Sequence, residues 1–247
     1  MNIRYALVAT IFLALPAHEL GQGGRGAAPQ TPKASAPIDL TGYWVSVVTE
    51  DWRYRMVTPT KGDYQGVPTT PAARKIADAW NPEADQAAGQ QCKSYGAPAG
   101  LRVPGRIHIT WQDEKALRID LDAGTQTRVL RFEPQAAKLP RSWQGDSTAR
   151  WEISGGTGDA KTSATLKVTT TNLKAGYLRK NGVPYGETAG LTEYFDLGTL
   201  PKGDQILIVT SIVEDATYLT QPFVVSTQFK KQGDASGWDP TPCSSTW

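Results

Sequence analysis

Histidine and cysteine are scarce in this sequence, with two of each among 247 residues. A zinc site usually takes three or four His or Cys ligands, so we expect no metal. The sequence also lacks a large excess of either charge, because it has 26 Lys and Arg residues and 24 Asp and Glu residues, for a net charge of +2. A chain without a broad basic field is not expected to bind nucleic acid. No cofactor-binding motif is present, so we expect no cofactor.

The amino terminus has the character of an export signal. Arg4 precedes an apolar run from Ala6 to Leu15, which is too short to span a bilayer. We expect residues 1–17 to be a signal peptide, with a retained amino-terminal anchor as the alternative. Residues 18–37 are rich in Gly, Ala, Pro and Gln and predict a flexible linker. Residues 38–247 then form one periplasmic or secreted domain, not inserted in a membrane after signal removal.

Strands dominate the pattern of the predicted domain. Apolar and polar residues alternate with a period of two, and short turns argue for antiparallel neighbours. Thr70-Pro71 and Asn81-Pro82 are helix-start signals and predict a short helical insertion near residues 70–91. We therefore predict an all-β fold, a closed antiparallel barrel of about 8–10 strands. The candidate strands are Tyr43–Thr49, Trp52–Thr58, Arg106–Gln112, Ala116–Leu121, Thr125–Phe132, Ser147–Ile153, Ala164–Leu173, Gly190–Asp196, Gln205–Glu214 and Phe223–Lys230.

A short motif supports the barrel. The run Asp39-Leu40-Thr41-Gly42-Tyr43-Trp44 opens the first strand and resembles the G-x-W signature of lipocalins. In that family the Trp closes one end of the barrel, so the resemblance implies that Trp44 is a barrel plug beside the ligand. The family's later Thr-Asp-Tyr motif has no counterpart here, because Thr192-Glu193-Tyr194 lies too far along the chain. No other residue role is carried over.

A longer resemblance is to exported bacterial proteins of unassigned function that have a lipocalin-like barrel. This resemblance implies the fold, but it does not imply any particular reaction. The similar stretches run in the same order over roughly 140 residues, a span that a single barrel domain accommodates. They are Pro104–Ile109, Trp143–Ser147, Trp151-Glu152, Leu191–Phe195, Ile212–Asp215, Tyr218–Pro222 and Pro242-Cys243.

One predicted hairpin carries candidate catalytic residues. His108 and Asp120 are expected on the same face of neighbouring strands, within reach of each other, and the next strand adds Thr127 or Arg128. A histidine oriented by a carboxylate is what a general base needs, and Tyr185 is a further candidate. The alternative is the solvent-facing polar side of a half-exposed sheet.

Aromatic and basic residues in two loops are candidates for ligand binding. Tyr177 and Tyr185 could close the mouth of the barrel, while Arg179 holds an acidic or carbonyl group. Trp52 and Tyr54 with Arg55 suggest contacts to a ring-shaped ligand. Packing within the core or on the rim is the alternative for both loops. Two acids, Glu193 and Glu214, are either buried with a raised pKa or exposed to solvent. Glu193 and Arg128 are also candidate ligand-binding residues.

These patterns lead to a functional hypothesis with two rivals. We expect an exported barrel that binds a small, largely apolar or aromatic molecule in its interior. The first rival is a cofactor-independent lyase, isomerase or hydrolase that uses His108 with Asp120, or Tyr177, Arg179 and Tyr185. The second is an interaction module at the cell envelope.

The two cysteines predict a disulfide. Export places the chain in an oxidising compartment, where an even count of two favours pairing of Cys92 with Cys243. This bridge would fix the carboxy-terminal tail over the helical insertion. Two separate buried thiols, or intermolecular pairing, are the alternatives.

Overall fold

A computed structural model of the chain describes residues 30–134, 139–155 and 163–246. The predicted signal peptide and most of the predicted linker lie outside these residues. The strands are β1 (Gly42–Val47), β2 (Arg106–Asp113), β3 (Ala116–Leu121), β4 (Ala123–Gly124), β5 (Gln126–Arg131), β6 (Asp146–Ser154), β7 (Ser163–Thr171), β8 (Gly176–Tyr177), β9 (Pro184–Tyr185), β10 (Gly190–Thr199), β11 (Gln205–Glu214), β12 (Phe223–Lys231) and β13 (Thr241–Pro242). The helices are α1 (Trp52–Arg55), α2 (Pro71–Asp78), α3 (Pro82–Ala87) and α4 (Ala97–Gly100), with a 3₁₀ helix at Gln91–Tyr95.

Within the described residues, nine strands close into a barrel in the order β1-β12-β11-β10-β7-β6-β5-β3-β2. The closed barrel is confirmed, but the sheet is mixed rather than antiparallel throughout as predicted. Within the barrel, β5 and β6 are the one parallel pair of the described residues, with Leu130 opposite Ser147 and Arg131 opposite Thr148. A ring whose neighbours are all antiparallel needs an even number of strands, so a ring of nine requires a parallel pair. A parallel pair needs a crossover connection, and the chain supplies it between the end of β5 at Arg131 and the start of β6 at Asp146.

The predicted strands and helices are mostly found. All nine barrel strands coincide with predicted strands to within a few residues. The helix starts are confirmed too, because the side chains of Thr70 and Asn81 accept hydrogen bonds from the backbone N–H groups of Ala73 and Ala84. The tenth predicted strand, Trp52–Thr58, is wrong and contains helix α1 instead. Asp51 adopts a left-handed conformation with φ of 52°, which turns the chain out of the direction of β1.

Alternation along each strand separates the barrel interior from its outer wall. In β7, Leu166 and Val168 are fully buried while Lys167 between them is partly exposed, as predicted. In β11, Leu207 and Val209 point inward in the same way. The core inside the barrel is therefore made of large side chains, including Trp44, Ile109, Ile119, Leu130, Phe195 and Phe229.

One end of the barrel is covered by long connections. Residues 48–105, 172–189 and 215–222 all leave the barrel at the end where β1 stops and β2 begins, which we call the covered end. A second apolar core holds these connections together, with Val67, Leu178, Tyr185, Leu219 and Phe223 among its members. The helical insertion is thus packed on the barrel as part of one body.

The predicted disulfide is confirmed. Cys92 and Cys243 are bonded, with a Cα–Cα distance of 5.1 Å across 151 residues of sequence. The bond joins the 3₁₀ helix to the carboxy-terminal tail, whose strand β13 pairs with β4. The Ser244 backbone N–H also donates to the Tyr95 hydroxyl, at 3.3 Å. The tail is therefore fixed against the helical insertion at the covered end.

Candidate functional site

Three arginines that are distant in sequence meet at the covered end. Arg55 ends helix α1, Arg102 follows α4, and Arg179 lies in the hairpin between β8 and β9. All three line a cavity of about 20 Å³, larger than the ~10–15 Å³ that one water molecule needs. We call these three residues the arginine cluster. The rest of the lining is Tyr54, Ser94, Ala99, Val103, Leu178 and Lys180.

The short helix α1 explains why Arg55 points inward. Successive helical residues rotate by about 100°, so the six positions after Asp51 divide into two faces. Trp52, Met56 and Val57 are exposed on the outer face. Tyr54 and Arg55 lie on the opposite face and line the cavity. Arg55 is only 2% exposed.

Two acidic residues at the end of β1 neutralise two of the three arginines. Arg55 Nη1 lies 2.7 Å from Glu50 Oε1, and Arg55 Nε donates to the Arg102 carbonyl at 2.9 Å. Arg102 Nη2 lies 2.9 Å from Asp51 Oδ2. Both carboxylates are about one-third exposed, whereas both guanidinium groups are buried. The acids therefore screen the arginines from the solvent side.

Arg179 is held differently. Its Nη1 donates to the Gln65 carbonyl at 2.7 Å, and its guanidinium carbon lies 4.1 Å from the centre of the Tyr54 ring. It forms no ion pair with any residue in the described ranges. The neighbouring Asp63 is paired with the exposed Arg53 at 2.8 Å. Three arginines against Glu50 and Asp51 leave the cluster with one excess positive charge.

Each arginine of the cluster also keeps a nitrogen that is buried and without a hydrogen-bond partner among the described residues. These nitrogens are Arg55 Nη2, Arg102 Nη1 and Arg179 Nε. A buried donor left without an acceptor costs about 1–3 kcal/mol, and more when it is charged. Native structures rarely retain such donors without a reason. Three of them around one cavity indicate that an acceptor belongs there.

The electrostatics of the cluster agree with a site of excess positive charge. Burial lowers the pKa of Arg55, and the like charge of Arg102 lowers this pKa further, against the opposing effect of Glu50 and Asp51. Burial and Arg102 likewise lower the pKa of the Arg179 guanidinium. An anion in the cavity would remove part of this mutual repulsion.

Lys180 follows Arg179 in sequence, but its ammonium group is directed to another partner. Lys180 Nζ donates to the Tyr95 hydroxyl at 2.7 Å and lies 4.6 Å from the centre of the Tyr95 ring. Burial lowers the pKa of Lys180 to about 8. Because Tyr95 also accepts from Ser244, Lys180 is tied to the disulfide-bonded tail.

The predicted pair of His108 and Asp120 does lie opposite each other, on β2 and β3. Both side chains are on the outer wall of the barrel, where His108 stacks on Tyr43 with ring centres 3.9 Å apart. Asp120 is held instead by Arg118, at 2.7 Å and 2.8 Å, and by Thr127. Burial lowers the pKa of His108, while the nearby Asp120 raises it. This arrangement matches the solvent-facing alternative.

The candidate tyrosines are at the covered end but do not line the cavity. Tyr185 is fully buried, and burial raises the pKa of its hydroxyl. That hydroxyl lies against Gly96 and Gly176, where any larger residue would collide with it. The Tyr177 hydroxyl donates to Asp85 at 2.8 Å, and burial with this bond raises the pKa of Tyr177. Both tyrosines therefore serve packing here.

The remaining candidates are spread over the molecule. Arg128 and Glu193 form a buried ion pair inside the barrel, with nitrogen–oxygen distances of 2.6 Å and 3.0 Å. Thr170 also accepts from Arg128, at 3.3 Å. Trp44 is fully buried in the barrel, and its ring N–H donates to the Leu40 carbonyl at 3.0 Å. Trp52 is 66% exposed.

Glu214, the other acid considered from the sequence, is exposed. The structure therefore brings together Tyr54 and Arg179 of the predicted ligand-binding residues, with Arg55 beside them. No motif or composition signal singled out Arg102. It lies in Leu101-Arg102-Val103, and an arginine between apolar residues next to a Pro-Gly turn is the one signal that could have indicated burial.

Comparison of the chain with protein-family models, curated proteins and solved structures finds no significant match in any of the three. In the part of the chain that the structure describes, no group of three or more His, Cys, Asp or Glu side chains could hold a metal ion. No helix in the described ranges is long and apolar enough to cross a membrane. The arginine cluster is thus the candidate site on its own geometry.

Proposed function

We propose that this protein is an exported, lipocalin-like barrel that binds a small molecule through an anionic group held by the arginine cluster. The single observation that carries the proposal is that three arginines line one cavity and that each keeps a buried guanidinium nitrogen without a partner. Guanidinium groups are the usual protein partners of carboxylates, phosphates and similar anions. The excess positive charge of the cluster supports the same ligand class.

We propose an apolar or aromatic body for the ligand, in keeping with the sequence-based hypothesis, but we place it outside the barrel interior. The barrel interior is filled by large buried side chains, whereas the cavity lies at the covered end. Tyr54 lines that cavity, whereas Trp52 of the same helix is exposed on the opposite, outer face. We therefore assign the anionic group to the cavity and the body of the ligand to Tyr54 at the cavity wall.

The site supports binding better than catalysis. His108 and Asp120 are on the outer wall, and Tyr177 and Tyr185 have raised pKa values that disfavour proton transfer near neutrality. Export is supported by the signal-like amino terminus and by the disulfide, which is consistent with an oxidising compartment. The buried Trp44 of the G-x-W motif supports the lipocalin-like assignment.

Thermal unfolding with added anions at constant ionic strength tests the proposal. A ligand that binds only the folded state raises Tm with its concentration. We expect sulfate, phosphate or benzoate to raise Tm of the wild type and of Arg150→Gln, which alters an exposed arginine of strand β6 that does not line the cavity. The Arg179→Gln variant should show only the general salt effect. Equal stabilisation of all three proteins, or of none, would contradict the proposal.

A further inference from the structure

The donors that remain free in the arginine cluster are distributed over three side chains. Arg55 already uses Nη1 for Glu50 and Nε for the Arg102 carbonyl. Arg102 uses Nη2 for Asp51, and Arg179 uses Nη1 for the Gln65 carbonyl. One buried nitrogen without a partner is left on each residue. The open positions therefore come from three guanidinium groups on three separate elements.

This distribution bears on the shape of the anion. A carboxylate has two oxygens and is recognised best by two parallel N–H bonds from a single guanidinium. Glu50 and Asp51 already supply carboxylates to Arg55 and Arg102. A group with three terminal oxygens can instead present one oxygen to each arginine. The cavity of about 20 Å³ has room for such a head group and not for a whole organic molecule.

The net charge of the arginine cluster also favours a head group of this kind. The cluster has three guanidinium groups against Glu50 and Asp51, so one negative charge balances it. Lys180 also lines the cavity, but its ammonium group is bound to the Tyr95 hydroxyl, and the other walls include the apolar Ala99, Val103 and Leu178. A sulfonate or sulfate monoester has three oxygens and a single charge, and a phosphate monoester reaches that state when singly protonated.

We infer that the ligand carries a head group with three terminal oxygens, a sulfonate, sulfate monoester or phosphate monoester, bound by one N–H each from Arg55, Arg102 and Arg179. The inference rests on the proposed function and narrows its ligand class. Tyr54 lies at the cavity wall and contacts the first atoms of the ligand beyond the head group. Ser94 adds a hydroxyl group to the lining.

Isothermal titration calorimetry with three small anions tests the inference. The anions are benzenesulfonate, phenyl phosphate and benzoate, which each carry one phenyl ring and differ in the anionic head group. We expect benzenesulfonate or phenyl phosphate to bind wild-type protein with a Kd at least about tenfold below that of benzoate, the equivalent of one charge-assisted hydrogen bond. Tighter benzenesulfonate identifies a singly charged head group, and tighter phenyl phosphate a doubly charged one; both support the three-oxygen class.

Variants locate the binding. Arg179→Gln should weaken the preferred probe by about tenfold or more, because it removes a charged donor, while Arg150→Gln, an exposed change on strand β6 outside the cavity, should leave its Kd unchanged. Benzoate binding as tightly as the other probes would overturn the inference and leave the proposed function standing. Absence of binding by all three, or binding that Arg179→Gln does not affect, would overturn both. The comparison of probes on the wild type holds even if the variant fails to fold.

Discussion

Arg179 lies with its guanidinium carbon 4.1 Å above the ring of Tyr54, a contact that joins the hairpin of β8 and β9 to helix α1. The Tyr54 hydroxyl donates to Gln65 Oε1 at 2.8 Å, and the Gln65 carbonyl accepts from Arg179 at 2.7 Å. The stacked pair therefore fixes one wall of the cavity. The position of Arg179 depends on the aromatic ring as well as on hydrogen bonds.

Replacing Tyr54 tests this contact. Tyr54→Phe keeps the ring and should retain anion binding. Tyr54→Leu removes the ring and should lower the free energy of unfolding by about 1–2 kcal/mol more than Tyr54→Phe, since a desolvated cation–π contact is worth that much. Urea unfolding of both variants measures the difference. Equal unfolding free energies for Tyr54→Phe and Tyr54→Leu would show that the contact between the ring and Arg179 does not stabilise the protein.

The buried ion pair of Arg128 and Glu193 gives a second prediction. Glu193→Gln should lower the free energy of unfolding by about 3–5 kcal/mol, because Arg128 is left buried and charged without its partner. The Arg128→Met, Glu193→Leu double variant should be less destabilised than Glu193→Gln. Glu152→Gln, which breaks an exposed pair with Arg150, is the control and should change stability by less than about 1 kcal/mol. A cost for Glu193→Gln no larger than that of the control would contradict the account.

The disulfide between Cys92 and Cys243 gives a third prediction. The Cys92→Ser, Cys243→Ser double variant should lose up to about 5 kcal/mol of unfolding free energy, the chain-entropy estimate for a loop of this size. Chemical denaturation with and without reductant measures the loss, and the reductant should not affect the double variant. Complete thiol labelling of unfolded, never-reduced wild type would show that the bridge does not form.

Lys180 predicts a pH dependence of stability. Its pKa is about 8 in the folded protein against 10.5 ordinarily, so between these values the unfolded chain binds a proton that the folded chain does not. Stability due to Lys180 therefore rises as the pH increases from about 8 to about 10.5. The difference in unfolding free energy between wild type and Lys180→Met should shift in favour of the wild type over that range. If the difference in unfolding free energy between the two proteins stayed constant from pH 7 to pH 11, the pKa of Lys180 would not be lowered in the folded protein.

The fold was largely predictable from local patterns. Leu166 and Val168 alternate with polar neighbours, and Thr70-Pro71 begins a helix, because these signals lie within a few residues of each other. The parallel contact of β5 with β6 was missed because it depends on closing a ring of nine strands, which no local pattern contains. The predicted strand at Trp52–Thr58 failed because its alternation continues through Asp51, whose backbone turns the chain.

The candidate site was only half predictable. Tyr54, Arg55 and Arg179 stood out because arginines lie beside aromatic residues in turn-rich segments. Arg102 did not, since nothing near it in the sequence shows that its ion-pair partner is Asp51. An arginine cluster is created by the packing of 48–105 against 172–189, and a single sequence does not show which of 26 basic residues will meet.

Crystals soaked in selenate would show whether the arginine cluster binds an anion, because selenate is a tetrahedral oxyanion whose selenium is located without ambiguity in an anomalous difference map. We expect a peak inside the cavity, within hydrogen-bonding reach of Arg55 Nη2, Arg102 Nη1 and Arg179 Nε, and we expect this peak to be lost in Arg179→Gln. Selenate bound elsewhere on the surface, with the cavity holding only water, would contradict the proposal.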